Sequence, residues 1–197
     1  DLALDLTDNF LINGTVRLEN YSDFGSAAVW KVSSRYKASD ALTFRGSVST
    51  GFRAPLLHQI FTQKAQYSFI PGQGIQVGGL INNVSREARL LGLPSLEAEK
   101  STNVTIGLGY KPNYNFSFTL DYYNIAVEDR IILSSEVSST GGNTTLDNVL
   151  NENNLSDLSF FVNALDTKTS GIDFVANYRN VSAGSGTLGF ALSGNWT

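Results

Sequence analysis

Apolar and polar residues alternate with a period of two along much of the chain, the signature of a β-strand with two unlike faces. Ile12, Gly14, Val16 and Leu18 alternate with Asn13, Thr15, Arg17 and Glu19. Ala28, Trp30, Val32, Ser34 and Tyr36 alternate with Lys31, Ser33, Arg35 and Lys37, and Leu42, Phe44 and Val48 with Thr43, Arg45, Ser47 and Ser49. The same alternation runs through residues 104–110, 116–122, 172–178 and 188–196, which makes seven strands in all. These alternating runs are seven to ten residues long. A soluble strand averages about 5–6, whereas a tilted transmembrane strand needs about 9–11.

The connections alternate in length. Ser39-Asp40, residues 111–115 and residues 181–186 are short; residues 21–25, 51–100 and 134–159 are longer. Short turns at one end and long loops at the other is the pattern of an outer-membrane barrel. A loop as long as 51–100 is functional or partly structured. Within it, residues 85–91 read as a short helix with Ser85 as N-cap, Gly92 as its stop and Pro94 beyond. Aromatic residues sit beside the short turns at Tyr36, Phe44, Tyr110, Phe116 and Tyr178, with Trp30, Tyr122 and Trp196 toward the other ends of their strands. Two such belts suit the two headgroup levels of a bilayer. The plainer alternative is aromatic-rich packing in a soluble β-sandwich. The apolar pattern slips by one at Tyr122-Tyr123, which implies either a β-bulge or a strand that has left the bilayer.

Composition narrows the chemistry. The 197 residues contain no cysteine and one histidine, His58, so thiolate chemistry and a histidine-cluster metal site are excluded. Aromatics at 11% and only 16% charged residues argue against a disordered tail. A net charge of −4 leaves no basic field for nucleic acid. No cofactor motif, hydrolase triad or zinc spacing occurs, and the chain reads as a non-enzyme. There is no methionine, even at residue 1, and no signal-peptide pattern, so the chain reads as an internal segment.

The polar face of the second and third strands carries Lys31, Arg35, Lys37 and Arg45. In a barrel these side chains line the lumen, where they suit either an acidic plug or plain hydration. His58, in an apolar segment, is a candidate ligand contact, with packing or solvation as the plainer role. Glu97 and Glu99, and Glu128 and Asp129, lack a nucleophile or metal partner and read as solvated.

Residues 49–61 contain Gly51-Phe52-Arg53-Ala54-Pro55 and resemble a box of TonB-dependent outer-membrane receptors, found where a barrel strand meets an extracellular loop. Leu93-Pro94-Ser95-Leu96-Glu97-Ala98-Glu99-Lys100-Ser101 resembles the segment that opens the next descending strand. Residues 122–131 and 169–173 resemble two further segments in the family's order, and residues 16–25 a strand-and-loop segment. Four boxes in order, over nearly the whole chain, make the resemblance specific. Chemically, Phe52 suits a membrane rim, Arg53 offers a forked donor for loop or plug carboxylates, and Pro55 ends ladder pairing.

The resemblance implies an antiparallel up-and-down meander of about seven long strands, part of a 22-stranded barrel. On this reading residues 1–197 are one partial barrel domain in the outer membrane of a Gram-negative bacterium. In the full-length protein its partners would be a plug domain, the TonB complex, the lipid bilayer and a small-molecule ligand such as a ferric siderophore. Haem is less expected, since no histidine lies between Phe61 and Leu93. Alone, the piece is expected to leave two sheet edges open and to self-associate through them. The competing readings are a soluble glycan-binding β-sandwich and a passive porin.

Overall fold

The computed structural model describes residues 2–21 and 25–197. In chain order the elements are β1 (Leu2–Thr7), β2 (Phe10–Tyr21), β3 (Gly25–Lys37), β4 (Leu42–Arg53), α1 (Leu57–Phe61), β5 (Lys64–Ile70), β6 (Gly74–Leu80) and α2 (Arg86–Leu90). There follow β7 (Glu99–Tyr110), β8 (Phe116–Leu133), β9 (Val137–Ser138), α3 (Thr144–Glu152), β10 (Asp157–Ser159), β11 (Phe161–Ala183) and β12 (Gly186–Trp196). Two sheets result. The larger has eight strands in the order β1-β2-β3-β4-β7-β8-β11-β12, and the smaller has the order β5-β6-β10-β9.

The expected seven strands are eight in the large sheet. The additional strand is β1, whose Leu2, Leu4 and Leu6 alternate with Ala3, Asp5 and Thr7; it pairs antiparallel with β2, Leu4 opposite Ile12. At six residues it is the shortest strand of the large sheet. The last turn is also tighter than expected. β11 continues to Ala183 and only Gly184 and Ser185 connect it to β12. A register shift between Tyr178 and Val181, with Asn180 at φ 60°, absorbs the extra residue. The slip at Tyr122-Tyr123 does not interrupt β8, which runs unbroken for 18 residues. Its positive φ lies farther on, at Asp129 (57°). The connection between β2 and β3, which holds Ser22, Asp23 and Phe24 of the 16–25 resemblance, lies outside the described residues.

The chain divides into two compact units. The first comprises residues 1–52, 100–127 and 167–197. Its even-numbered face is apolar and open: Leu18 is 77% exposed, Val16 68%, Leu192 64% and Ile106 62%. At one end of that face lies an aromatic row. Phe10 meets Tyr36 edge to face at 6.2 Å, Tyr36 sits opposite Phe44, and Phe116 contacts both Tyr110 and Tyr178. The odd-numbered face is polar, with Ser47 and Thr105 hydroxyls 2.8 Å apart. Among the described residues of this unit only Gly107 and Gly171 are buried. A sandwich would bury its apolar face against a second sheet; here that face carries no core.

The second unit, residues 53–99 and 128–166, is built from the two long connections and has the core that the first unit lacks. Ile81, Ala88, Leu146, Val149, Leu150 and Leu158 form its buried cluster, and Leu158 and Ala88 are fully enclosed. α2 begins where the sequence places it: the Ser85 hydroxyl accepts the Ala88 N–H at 3.1 Å, and Gly92 takes φ 75° just past the helix. α3 (Thr144–Glu152) is capped likewise by Asn143, which accepts the Leu146 N–H. Among the described residues, the two long connections thus contain all three helices and the whole small sheet.

Candidate functional site

In the second unit, three of the sequence boxes meet at one carboxylate. Arg53, the last residue of β4, lays its guanidinium on Glu99, the first residue of β7. Nε donates to Oε2 at 2.8 Å and a terminal nitrogen donates to Oε1. Glu99 Oε1 also accepts the backbone N–H of Ile131 at 2.8 Å. The Glu99 side chain is 6% exposed and that of Arg53 47%. Two parallel N–H donors on one carboxylate fix orientation as well as charge. The Arg53 fork holds the Glu99 carboxyl below the usual glutamate range; burial opposes this, and the Ile131 N–H and the charges of Arg53 and Arg130 reinforce it.

Around this pair, amides tie the neighbouring backbone. Asn163 accepts the Glu97 N–H at 2.9 Å and donates to the carbonyls of Glu97 (3.0 Å) and Asp129 (2.6 Å). Asp166 accepts the Asp129 N–H, which holds the strained φ of that residue. Asn83, 3% exposed, donates to the Pro94 carbonyl and accepts the Leu96 N–H, so it shapes the Leu93-Pro94-Ser95-Leu96 turn. Pro55 and Gln59 are buried, and the Gln59 side chain accepts the Leu56 N–H at the start of α1. Chemically this is a clamp. It holds no nucleophile and no metal-ligand set, and its parts are donors, acceptors and one ion pair.

Elsewhere in the second unit, His58 is exposed on α1 and meets Phe161 edge to face at 6.1 Å. In the first unit, Phe52 packs edge to face on Tyr21 at 5.9 Å, and Gly51 lies against Ser101, whose Oγ is 2.7 Å from where a Cβ would stand.

The four basic residues share the odd-numbered face, but they are not equivalent. Arg35 and Arg45 stand directly opposite one another in register, Lys37 opposite Thr43 and Lys31 opposite Ser49. Like charges in direct opposition are unfavourable. Arg45 is neutralised by Asp121 of β8: Nε donates to Oδ1 at 2.8 Å, and a terminal nitrogen donates to Oδ2. The pair reaches across β7, the strand between, and Gly107 is the residue beneath it. A Cβ there would overlap the Asp121 carboxylate and stand 3.0 Å from Arg45 Nε. The same device recurs across β11. Tyr123 of β8 lies over Gly171, its Cζ 2.7 Å from a Cβ position, and its hydroxyl meets Thr197 at 2.7 Å and Asn195 at 3.3 Å. Gly107 lies within a stretch of the alternating pattern and Gly171 beside one, and the pattern marks neither as special. The signal was available, since an interior strand glycine marks a close approach.

The family described as TonB dependent receptor-like, beta-barrel matches the chain over residues 1–197. Among curated proteins no sequence matches. Among solved structures, the siderophore receptor PirA from Pseudomonas aeruginosa superimposes with a TM-score of 0.64 at 18% identity, over 98% of this chain and 32% of its own. The ferric enterobactin receptor PfeA, from the same organism, gives a TM-score of 0.68 at 16% identity over 99% of this chain and 26% of its own. The RagAB peptide importer gives 0.63 at 15% identity, over 96% and 20%. The chain thus spans a third or less of the length of these structures, and at such identities they establish the fold alone.

Proposed function

The chain belongs to the TonB-dependent receptor-like β-barrel family, and on that premise we propose that it forms part of the wall and loops of a Gram-negative outer-membrane importer of a ferric siderophore. The observation that carries the membrane placement is the first unit's open apolar face, aromatic row included, above which no core is built. Such a face is stable against lipid and unstable in water. In this reading residues 1–197 are a partial barrel domain, and β1 and β12 pair with further strands of the full-length protein. The odd-numbered face lines the lumen. Arg45 is held by Asp121 in the wall, while Lys31, Arg35 and Lys37 face a plug. Gly51, Phe52, Arg53, Ala54 and Pro55 fix the strand end and the loop root rather than touch cargo. His58, exposed in the loop unit, contacts ligand. The TonB complex supplies the energy, and no bond of the cargo is made or broken.

Support for the siderophore comes from the recurrence of siderophore receptors among structures of this fold. A peptide importer and a copper transporter in the same group define the competing cargoes. The test is an immunoblot of membrane fractions from iron-replete and iron-starved cells with an antibody to this chain. A band in the outer membrane that rises on starvation is expected. An outer-membrane band indifferent to iron would redirect the cargo, and a soluble band would overturn the membrane reading.

A further inference from the structure

The second unit carries an open hollow of about 310 Å³, at the lower end of the range for small-molecule sites. It is lined by alternate side chains of β5 and β6, Lys64, Gln66, Ser68 and Gln76, together with Glu136 and Asp157 from the other long connection. Part of the lining is bare backbone at Gly78, where the Asp157 carboxylate lies 2.8 Å from the position a Cβ would take. β6 and β10 run parallel there, with Gly78 opposite Asp157. Among the described residues, Lys64, Glu136 and Asp157 make no ion pair and no side-chain hydrogen bond within the chain. The hollow therefore offers the amide of Gln66, that of Gln76 (whose nitrogen also donates to the Gln73 carbonyl at 3.2 Å), hydroxyls and two carboxylates against one ammonium group.

Charge around it points the same way. The second unit holds ten carboxylates against five lysine and arginine residues, while the first unit is close to balanced. The acidity of the chain is thus concentrated in the unit made from the long connections. A field of that sign repels polyanions and slows their encounter, and it favours neutral or cationic solutes.

We infer that this hollow is a cargo-recognition site for a hydrophilic ligand that is uncharged or cationic, and that it discriminates against polyanionic complexes. The inference rests on the importer reading and narrows it: among ferric siderophores it selects the neutral hydroxamate type over the anionic catecholate type. Carboxylates and side-chain amides accept and donate hydrogen bonds to such a ligand without a charge penalty. A complex with several negative charges would have to approach Glu136 and Asp157 with only Lys64 to offset them.

The test is equilibrium binding to the full-length receptor in detergent, with a neutral ferric trihydroxamate and an anionic ferric tris-catecholate as probes. The wild-type receptor is expected to prefer the neutral probe by tenfold or more. The double variant Glu136→Gln/Asp157→Asn should reduce that preference severalfold, and Lys64→Gln should increase it. The two amides keep the shape of the carboxylates they replace, and Lys64 is exposed, so the fold should tolerate all three changes. Tighter binding of the catecholate by wild type, or a preference that the double variant leaves unmoved, would overturn the inference while leaving the importer reading intact. Binding of neither probe would overturn the siderophore reading and the inference with it.

Discussion

Glu99→Ala is expected to release the root of the long loops. The substitution removes the acceptor for both arms of the Arg53 fork and for the Ile131 N–H. Arg53 is half exposed and regains water, but the Ile131 N–H is buried and does not. An orphaned buried donor costs about 1–3 kcal/mol, and loss of a charge-assisted pair adds to it, so about 2–3 kcal/mol of local stability should go. Hydrogen exchange over residues 93–99 and 128–133 should accelerate by about 30-fold or more, at about 1.4 kcal/mol per factor of ten. The exchange of β2 and β3 should stay unchanged. Glu99→Gln retains one acceptor and should lose less. The clamp also carries a pH signature. Since the native carboxyl titrates below its ordinary value of 4.5, the unfolded state binds the proton more readily. The stabilisation is complete above about that pH, declines below it, and is gone once the pH passes the lowered native value. Exchange measured from pH 7 down to about 3 should show the loop root loosening only at the acid end, and Glu99→Ala should abolish that dependence.

The second large effect belongs to Gly107→Val. Side-chain atoms at residue 107 would occupy the space of the Asp121 carboxylate and crowd Arg45 Nε. The ion pair across β7 must then break or the strand must shift. Overpacking of this kind costs about 1–3 kcal/mol, and it leaves Arg45 directly opposite Arg35 with no compensating charge. Assembly of the full-length barrel, read as the shift between folded and heat-unfolded bands in gel electrophoresis, should fall sharply. Gly109→Val is the control. It lies two residues along the same strand, where a Cβ would meet nothing within 4 Å. Equal loss in both variants would mean that valine in this strand is harmful of itself and that the Arg45–Asp121 bridge is not the cause.

The strands were legible because their cause is local. A period of two is imposed by the pleat and needs no knowledge of the partner strand. The aromatic row was legible in part for the same reason, since Tyr36, Phe44, Tyr110 and Phe116 stand within a few residues of short turns, while Tyr178 lies farther from its own turn and joins the row by contact with Phe116. Ser85 and Gly92 marked α2 through cap chemistry, which is confined to a few residues. The second unit was hidden because its order comes from contacts remote in sequence. Leu158 is enclosed by residues from near Ile81 and near Val149, and β10 borrows its ladder from β6. No window of the sequence contains both. The clamp was half visible: Arg53 was marked as a forked donor, but Glu99 read as solvated, although it is buried on Arg53 and Ile131. Its 46-residue separation from Arg53 carries no pattern. Gly107 and Gly171 had a readable signal as interior strand glycines, but the side chains that cover them come from a neighbouring strand.

Uptake by whole cells shows whether the full-length protein is an energised importer. Cells that carry the full-length receptor would be given a radiolabelled neutral ferric trihydroxamate, with and without an intact TonB protein. Saturable accumulation is expected, and it should be lost when either the receptor or TonB is deleted. Steady entry that persists without TonB would contradict it and identify the barrel as a passive pore.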